Sequence, residues 1–336
     1  MDIRSLLDGL LELTFVGSFT RVGFVVRRIL FGWNTPADGS MTGKTVLITG
    51  PTSGLGRATA DALASAGARL ILVGRSEERL ARVRDELVAE HGEDRFRIVV
   101  ADMGLLDSVR AAVATILEEE PRLDVLVDNA GAIFPDRRET ADGIEATLAT
   151  MVVGPFVLID GLRPLLERTG GARVIAITSG GMYWQTLPLD DLDYEEGPFS
   201  GPRAYARAKR AQTALMREWA RRLAAVGSDL TINAMHPGWS DTPGLAETLP
   251  AFYRLMGPVL RSPAEGADTI VWLATDPRAG GLSGGLFLDR RPRPFDRAPL
   301  TRLSAADRRR LWDLVVERTG AADPLPDRVH QLDGPG

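Results

Sequence analysis

The stretch from Lys44 to Gly74, KTVLITGPTSGLGRATADALASAGARLILVG, limits the fold more than any other part of this 336-residue chain. Two short runs of Val, Ile and Leu, KTVLITG and RLILVG, lack the polar alternation of a half-exposed strand, so each reads as a strand buried on both faces. Between them, a small-residue segment from Leu55 to about Ala66 reads as a helix stopped by Gly67. Strand, helix and strand at such short intervals make a parallel pair with its crossover. The alternation continues through the Ser-capped helix SEERLARVRDELVAEHG, the strand FRIVVAD, a helix from about Asp107 and the strand LDVLVDNAG. Next come a long helix from about Ala141 to Arg168, the strand ARVIAITS, a helix from about Pro202 to Ala225 and the strand LTINAMHPG. A helix near Pro263–Thr275 and the strand GGLFLD close the series. The expected architecture is α/β, a doubly wound parallel sheet of about seven strands with helices on both faces.

No composition break or internal repeat follows Lys44, so residues 41–336 are expected to form one domain that includes the C-terminal tail. In that tail, Ser304 and Asp307 are spaced as a capping box opening a surface helix, SAADRRRLWDLVVERTG. Residues 1–40 are expected to be a helical extension. Asp8, Glu12, Arg21, Arg27 and Arg28 interrupt its apolar sequence, and the longest uncharged run, Leu13 to Thr20, is far short of the roughly 20 residues of a membrane span. The extension therefore either packs on the globular body or lies on a membrane as an interfacial helix. A secretory signal is not expected, because there is no basic start and no small-residue cleavage site.

Composition removes several function classes. The formal net charge of -5 and the absence of any Lys/Arg-rich block give no footprint for nucleic acid. With no cysteine there is neither a disulfide framework nor thiolate chemistry, which suits a reducing, cytoplasmic compartment. His91, His236 and His330 are too scattered for a zinc site, and no metal is expected.

The turn after the first strand, TGPTSGLGRAT, carries Gly50, Gly54 and Gly56 in a G-x-x-x-G-x-G spacing. Between a strand and a helix, such glycines let backbone amides and the helix N-terminus approach a pyrophosphate. About twenty residues on, where a carboxylate would hold a ribose 2′-hydroxyl, the chain has Gly74-Arg75. An arginine there grips a 2′-phosphate with a planar charged fork, so NADP(H) is expected over NAD(H). The alternative is an arginine that merely caps the sheet.

One pentapeptide, YARAK at 205–209, puts a phenol and an ammonium on one helix face. Together with TGPTSGLG, DNAG (128–131), TSGGM (178–182) and HPGWSDTPG (236–244), it resembles the short-chain dehydrogenase/reductase family across residues 43–290. SGGM and HPGWSDTPG, with EGADTIVWLA and LDRRP, are most similar to the dehydrogenase/reductase member-12-like branch, itself retinol-dehydrogenase-like and extended at the N-terminus.

The resemblance implies a Rossmann-type fold and residue roles. Tyr205 would exchange a proton with the substrate oxygen, helped towards ionisation by Lys209 and a charged nicotinamide. Lys209 would also hold the nicotinamide ribose, and Ser179 would orient the reacting oxygen. Cofactor contacts would come from Gly50, Ser53, Gly54, Leu55, Gly56, Arg75, Asp102 (adenine) and Met103. Asn129, Ala130, Gly131, Pro237, Gly238 and Thr242 would complete the set, together with Tyr205 and Lys209. For Asn129 and His236, structural hydrogen bonding is the competing reading. Tyr183, Trp184 and Trp239 either wall the substrate pocket or simply pack.

The family's usual asparagine, three positions before a glycine on the long helix, is replaced by Met151, which leaves only a main-chain role there. Pro155 has no N–H to offer the Met151 carbonyl, which could then hold a water of the proton relay. The leading expectation is an NADP(H)-dependent oxidoreductase interconverting a carbonyl and an alcohol. Its substrate is expected to be an apolar small molecule, given the Leu-, Pro- and aromatic-containing loops at 183–202 and 239–262. The competing reading is a cofactor-binding sensor or scaffold on the same fold. Peripheral membrane contact through residues 1–40, and homodimerisation through the two longest sheet-covering helices, are left open.

Overall fold

A computed structural model describes residues 3–92 and 95–325. His330 lies outside the described residues. The strands are β1 (Thr45–Thr49), β2 (Arg69–Gly74), β3 (Phe96–Val100), β4 (Val125–Asp128), β5 (Arg173–Ile177), β6 (Thr231–Met235), β7 (Leu286–Leu288) and β8 (Arg291–Pro292). They form one sheet in the order β3-β2-β1-β4-β5-β6-β7-β8. Pairing is parallel from β3 to β7, with Val46 opposite Val125 across the centre, and only β8 runs antiparallel. The sheet is thus the expected one plus a short eighth strand. Chain order reverses between β1 and β4, which opens a crevice at the carboxyl ends of those two strands.

The three N-terminal helices are α1 (Ile3–Glu12), α2 (Phe15–Phe19) and α3 (Arg21–Phe31). One face of the sheet is covered by α4 (Gly54–Ser65), α5 (Glu77–His91) and α12 (Pro263–Thr275). The other is covered by α6 (Leu106–Glu119), α8 (Gly154–Thr169) and α9 (Gly201–Ala225). A one-turn α7 (Ala146–Leu148) leads into α8 through a π-helical segment, Ala149–Val153. The long helix therefore begins near Ala146 rather than Ala141, because Thr140 and Asp142 sit in a turn closed by the Gly143 N–H on the Thr140 carbonyl. Two short helices, α10 (Pro243–Thr248) and α11 (Pro250–Met256), occupy the segment after β6.

The last helix, α13 (Ala305–Thr319), opens with the expected Ser304–Asp307 capping box. It is more than a surface addition. Its Trp312 is buried edge-on against Trp219 of α9 and Phe156 of α8, with ring centroids 4.7 and 4.9 Å away. Large rings in this edge-to-face geometry bury far more apolar area than an exposed amphipathic helix would.

The extension docks on the β7–β8 edge through buried charges. Arg27 donates to Asp8 (2.7 Å), to Glu12 (2.6 Å) and to Asp289 of the β7–β8 turn (2.6 Å). Arg261 donates to the same Asp289 at 2.6 and 3.0 Å and to the carbonyl of Ser18 at 2.9 Å. Arg293 closes the cluster on Asp8. Each buried charge meets an opposite one, the condition under which such groups are tolerated away from water.

Candidate active site

The β1–α4 turn is shaped by its glycines. Gly50 and Gly54 have φ of +66° and +52°, a region closed to most side chains, and a Cβ on Gly56 would collide with the Gly50 carbonyl. Thr49 Oγ1, at the end of β1, accepts the N–H groups of Asn129 and Ala130, each at 2.9 Å. The Asn129 amide donates to the carbonyls of Thr49 (2.9 Å) and Gly50 (3.0 Å). Asn129 thus ties the end of β4 to the glycine turn. Thr242, at the start of α10, faces the turn from the other side, 3.1 Å from where a Gly54 Cβ would lie.

Ser53, exposed, and Leu55, half-buried, flank the first turn of α4. Arg75 follows β2, is exposed, and makes no ion pair among the described residues. Asp102, beyond β3, turns Oδ1 to the Gly104 N–H (2.8 Å), while the buried Met103 puts its carbonyl against Gly154, where a Cβ would not fit. Gly131 sits between two groups of the centre. A Cβ there would lie 3.2 Å from Met151 Sδ and 3.9 Å from Lys209 Nζ.

Ser179, just past β5, and the half-buried Tyr205 of α9 hydrogen-bond to one another. Burial pushes the Tyr205 phenol above its usual range near 10, and the Ser179 hydrogen bond only partly opposes this. Lys209 Nζ lies 5.9 Å from the Tyr205 ring centroid but donates to the Ile177 carbonyl (2.7 Å) and to Gln212 Oε1 (3.2 Å). The expected lowering of the phenol by Lys209 is therefore absent in this arrangement. Lys209 itself is pulled down to about 8 by burial, with Asp128 acting the other way.

Met151 is buried at the centre of the π-helical segment. Widened turns of this kind loosen the regular backbone ladder. Pro155 follows in α8 and has no N–H for the Met151 carbonyl.

The loop after β6 completes the crevice. Gly238 has φ +75° and donates its N–H to His236 Nδ1 at 3.0 Å. The Pro237 carbonyl accepts from Arg261 at 3.3 Å, and Trp239 donates its N–H to the Phe19 carbonyl of α2 at 2.8 Å. The Phe19 ring stands edge-on to His236 (4.4 Å) and Trp239 (5.9 Å). The extension is thus built into the wall of this loop, which the sequence did not disclose. The three aromatics divide: Tyr183 is buried with its hydroxyl on the Pro294 carbonyl (3.1 Å), so it packs, and Trp184 is exposed against Phe15. Trp239 lies half-buried against Phe252, 5.0 Å away.

Among the described residues no group of three His, Asp or Glu side chains converges to hold a metal ion. The glycine turn and Arg75, which has no ion pair among the described residues, fit the phosphates of a dinucleotide, and Asp102 has a carboxylate oxygen to offer an adenine amino group.

A family model described as short chain dehydrogenase matches residues 44–188. Dehydrogenase/reductase SDR family member 12 of Bos taurus is 38% identical over 278 residues, 82% of this chain and 86% of that protein. Retinol dehydrogenase 14 of Homo sapiens is 35% identical over 325 residues, 89% of this chain and 92% of that one. Among solved structures, a protein from Mycobacterium paratuberculosis superimposes with a TM-score of 0.70 at 27% identity, covering 87% of this chain and 99% of its own.

Proposed function

The chain belongs to the short-chain dehydrogenase/reductase family, whose members are nicotinamide-dependent oxidoreductases of alcohol and carbonyl groups, and we propose that it is an NADP(H)-dependent enzyme of apolar carbonyl or alcohol substrates. The observation that carries this reading is the meeting of Ser179, Tyr205 and Lys209, with Gly131 beside the lysine. When bound, the nicotinamide supplies a hydride to the carbonyl carbon or accepts one from the alcohol carbon. Tyr205 gives its phenolic proton to the substrate oxygen in reduction and takes it back in oxidation. Ser179 holds that oxygen against the phenol. Lys209, turned away from the Ile177 carbonyl, would hold the nicotinamide ribose. Arg75 grips the 2′-phosphate, and Asp102 the adenine.

An apolar substrate is supported by Trp239, Phe252 and the exposed Trp184 and Leu255 on the neighbouring segments, and by the retinol in the name of one relative, retinol dehydrogenase 14. Membrane contact through the extension is supported by its surface. Across α1–α3, Ile3, Leu6, Leu10, Leu13, Val22 and Ile29 are exposed, and the exposed charges are Arg4, Arg28 and Arg21, the last paired with Glu265. Both acids of α1–α3, Asp8 and Glu12, turn inward to arginines. An apolar face edged with cations suits an anionic lipid surface.

The test is a screen of carbonyls and alcohols with both nucleotides, on wild type, Tyr205→Phe and Arg75→Ala. Tyr205→Phe is expected to cut kcat by about 10²- to 10⁴-fold, far more than it weakens nucleotide binding. Arg75→Ala is expected to weaken NADPH while sparing NADH. Met151 supports a second reading, a cofactor-binding scaffold with the relay lost. NADPH binding without turnover across the whole panel would decide for it.

A further inference from the structure

Lys44 and Lys209 are the only lysines in this chain, which otherwise takes its cations from arginine. Lys209 is 2% exposed, and behind it runs a hydrogen-bonded bridge that the reaction as described does not use. Gln212, one turn along α9, accepts from Lys209 Nζ through Oε1 and donates through Nε2 to Asp128 Oδ2 at 2.6 Å. A side-chain amide can do both at once, which an ionised carboxylate, having no donor, cannot. Asp128, at the end of β4, is fully buried, and its Oδ1 has no hydrogen-bond partner.

The surroundings isolate the pair. Among the described residues Asp128 is the one carboxylate acting on Lys209, and Lys209 the one cation acting on Asp128. From its own helix Lys209 meets Tyr205 as the one titratable neighbour. From β5 it meets the Ile177 carbonyl, and the π-helical segment brings the uncharged Met151 thioether. Gln212 is thus the only side-chain amide bonded to this lysine among the described residues.

We propose that Asp128 is a positioning residue for the reaction: through Gln212 it fixes the Lys209 ammonium beside Tyr205 and keeps it protonated at working pH. The proposal rests on the reading of Tyr205 and Lys209 as the reacting pair. Burial alone would neutralise both groups. It drives Asp128 up to about 6 and Lys209 down to about 8, so around neutrality each keeps its charge against the other. Where Met151 supplies no amide to this corner, the Asp128–Gln212 bridge supplies one.

With only two lysines, ¹³Cε-lysine labelling gives two side-chain signals, assigned by Lys44→Arg. In Asp128→Asn, which keeps the shape and removes the charge, the Lys209 midpoint is expected to fall by about one pH unit or more. Lys44, paired instead with Asp124 at 3.0 Å, should not move. An unmoved Lys209 midpoint overturns the proposal. Should Asp128→Asn fail to fold, Gln212→Leu decides in its place: it keeps the carboxylate, breaks the bridge, and is expected to lower the same midpoint, while no change again overturns. Because the titration needs no turnover, its outcome is separate from that of Tyr205→Phe. A shifted midpoint with a fully active Tyr205→Phe would retire the catalytic reading and not the ion pair.

Discussion

His236 sits where the β6 strand ends, and its environment decides its charge. Its Nδ1 is committed to the Gly238 N–H, Phe19 covers the ring, and Nε2 has no partner. Burial first, and then the nearby Arg261, push it down to about 3. A base whose folded value lies below its unfolded value of about 6.5 takes up its proton on unfolding, so its share of stability is present above pH 6.5 and is lost as pH falls towards 3. At pH 5.5 this loss comes to about 1.4 kcal/mol. Asp128, with its raised value, acts with the opposite sign near pH 6, so the comparison must be made by difference. His236→Asn keeps an acceptor for Gly238. Urea melts at pH 7.5 and 5.5 should show the wild type losing about 1.4 kcal/mol more than the variant. Single letters had left His236 and Asn129 open between binding and bracing. Only the positions of their partners, the Gly238 N–H and the Thr49 and Gly50 carbonyls, show the bracing bonds that both make. Lys209 and Tyr205 were legible because a four-residue spacing fixes their common face, whereas Gln212 and Asp128 lie on separate elements and gave no spacing to read.

Among the elements, the β7–β8 turn shows how a local violation is tolerated. Asp289 and Arg290 both have positive φ, 56° and 55°, as a two-residue hairpin of this hand requires, yet neither is glycine. The Asp289 carboxylate is clasped by Arg27 and Arg261, and Arg290 pairs with Asp268. Asp289→Asn preserves the shape and the tolerance for that backbone but leaves Arg261 buried without any carboxylate. It should cost about 3–5 kcal/mol in a urea melt, and because Arg261 also holds the Pro237 carbonyl, nucleotide binding should weaken with it. The strand–helix alternation from β1 to β7 was readable because buried parallel strands and amphipathic helices differ in period. The two-residue β8 has no period at all. The π-helical turn around Met151 was signalled only indirectly, by Pro155 and by the missing asparagine.

For the molecule as a whole, the least readable part was the partnership between its first thirty residues and the crevice. A charged, apolar segment is compatible with several neighbours, and the ion pairs that choose among them span more than 240 residues of sequence, as with Arg27 and Asp289. If the exposed apolar face meets lipid, wild-type protein should float with vesicles containing phosphatidylserine, and the Leu13→Glu/Ile29→Glu double variant should stay in the dense fraction. Both sites are exposed, at 78% and 75%, so the fold should survive the change. Flotation of both alike would argue against that face.

The clasp of Asp8, Arg27, Arg261 and Asp289 also constrains how any such encounter could proceed. Peeling the N-terminal helices away would strand Arg261 and Asp289 in a dry cleft without Arg27 and would unlatch Trp239 from Phe19. The helices are therefore not a hinged flap that can reach out while the catalytic body stays behind. Extension and crevice would meet a bilayer as one rigid unit, and anything exchanged between the two would have to travel by itself.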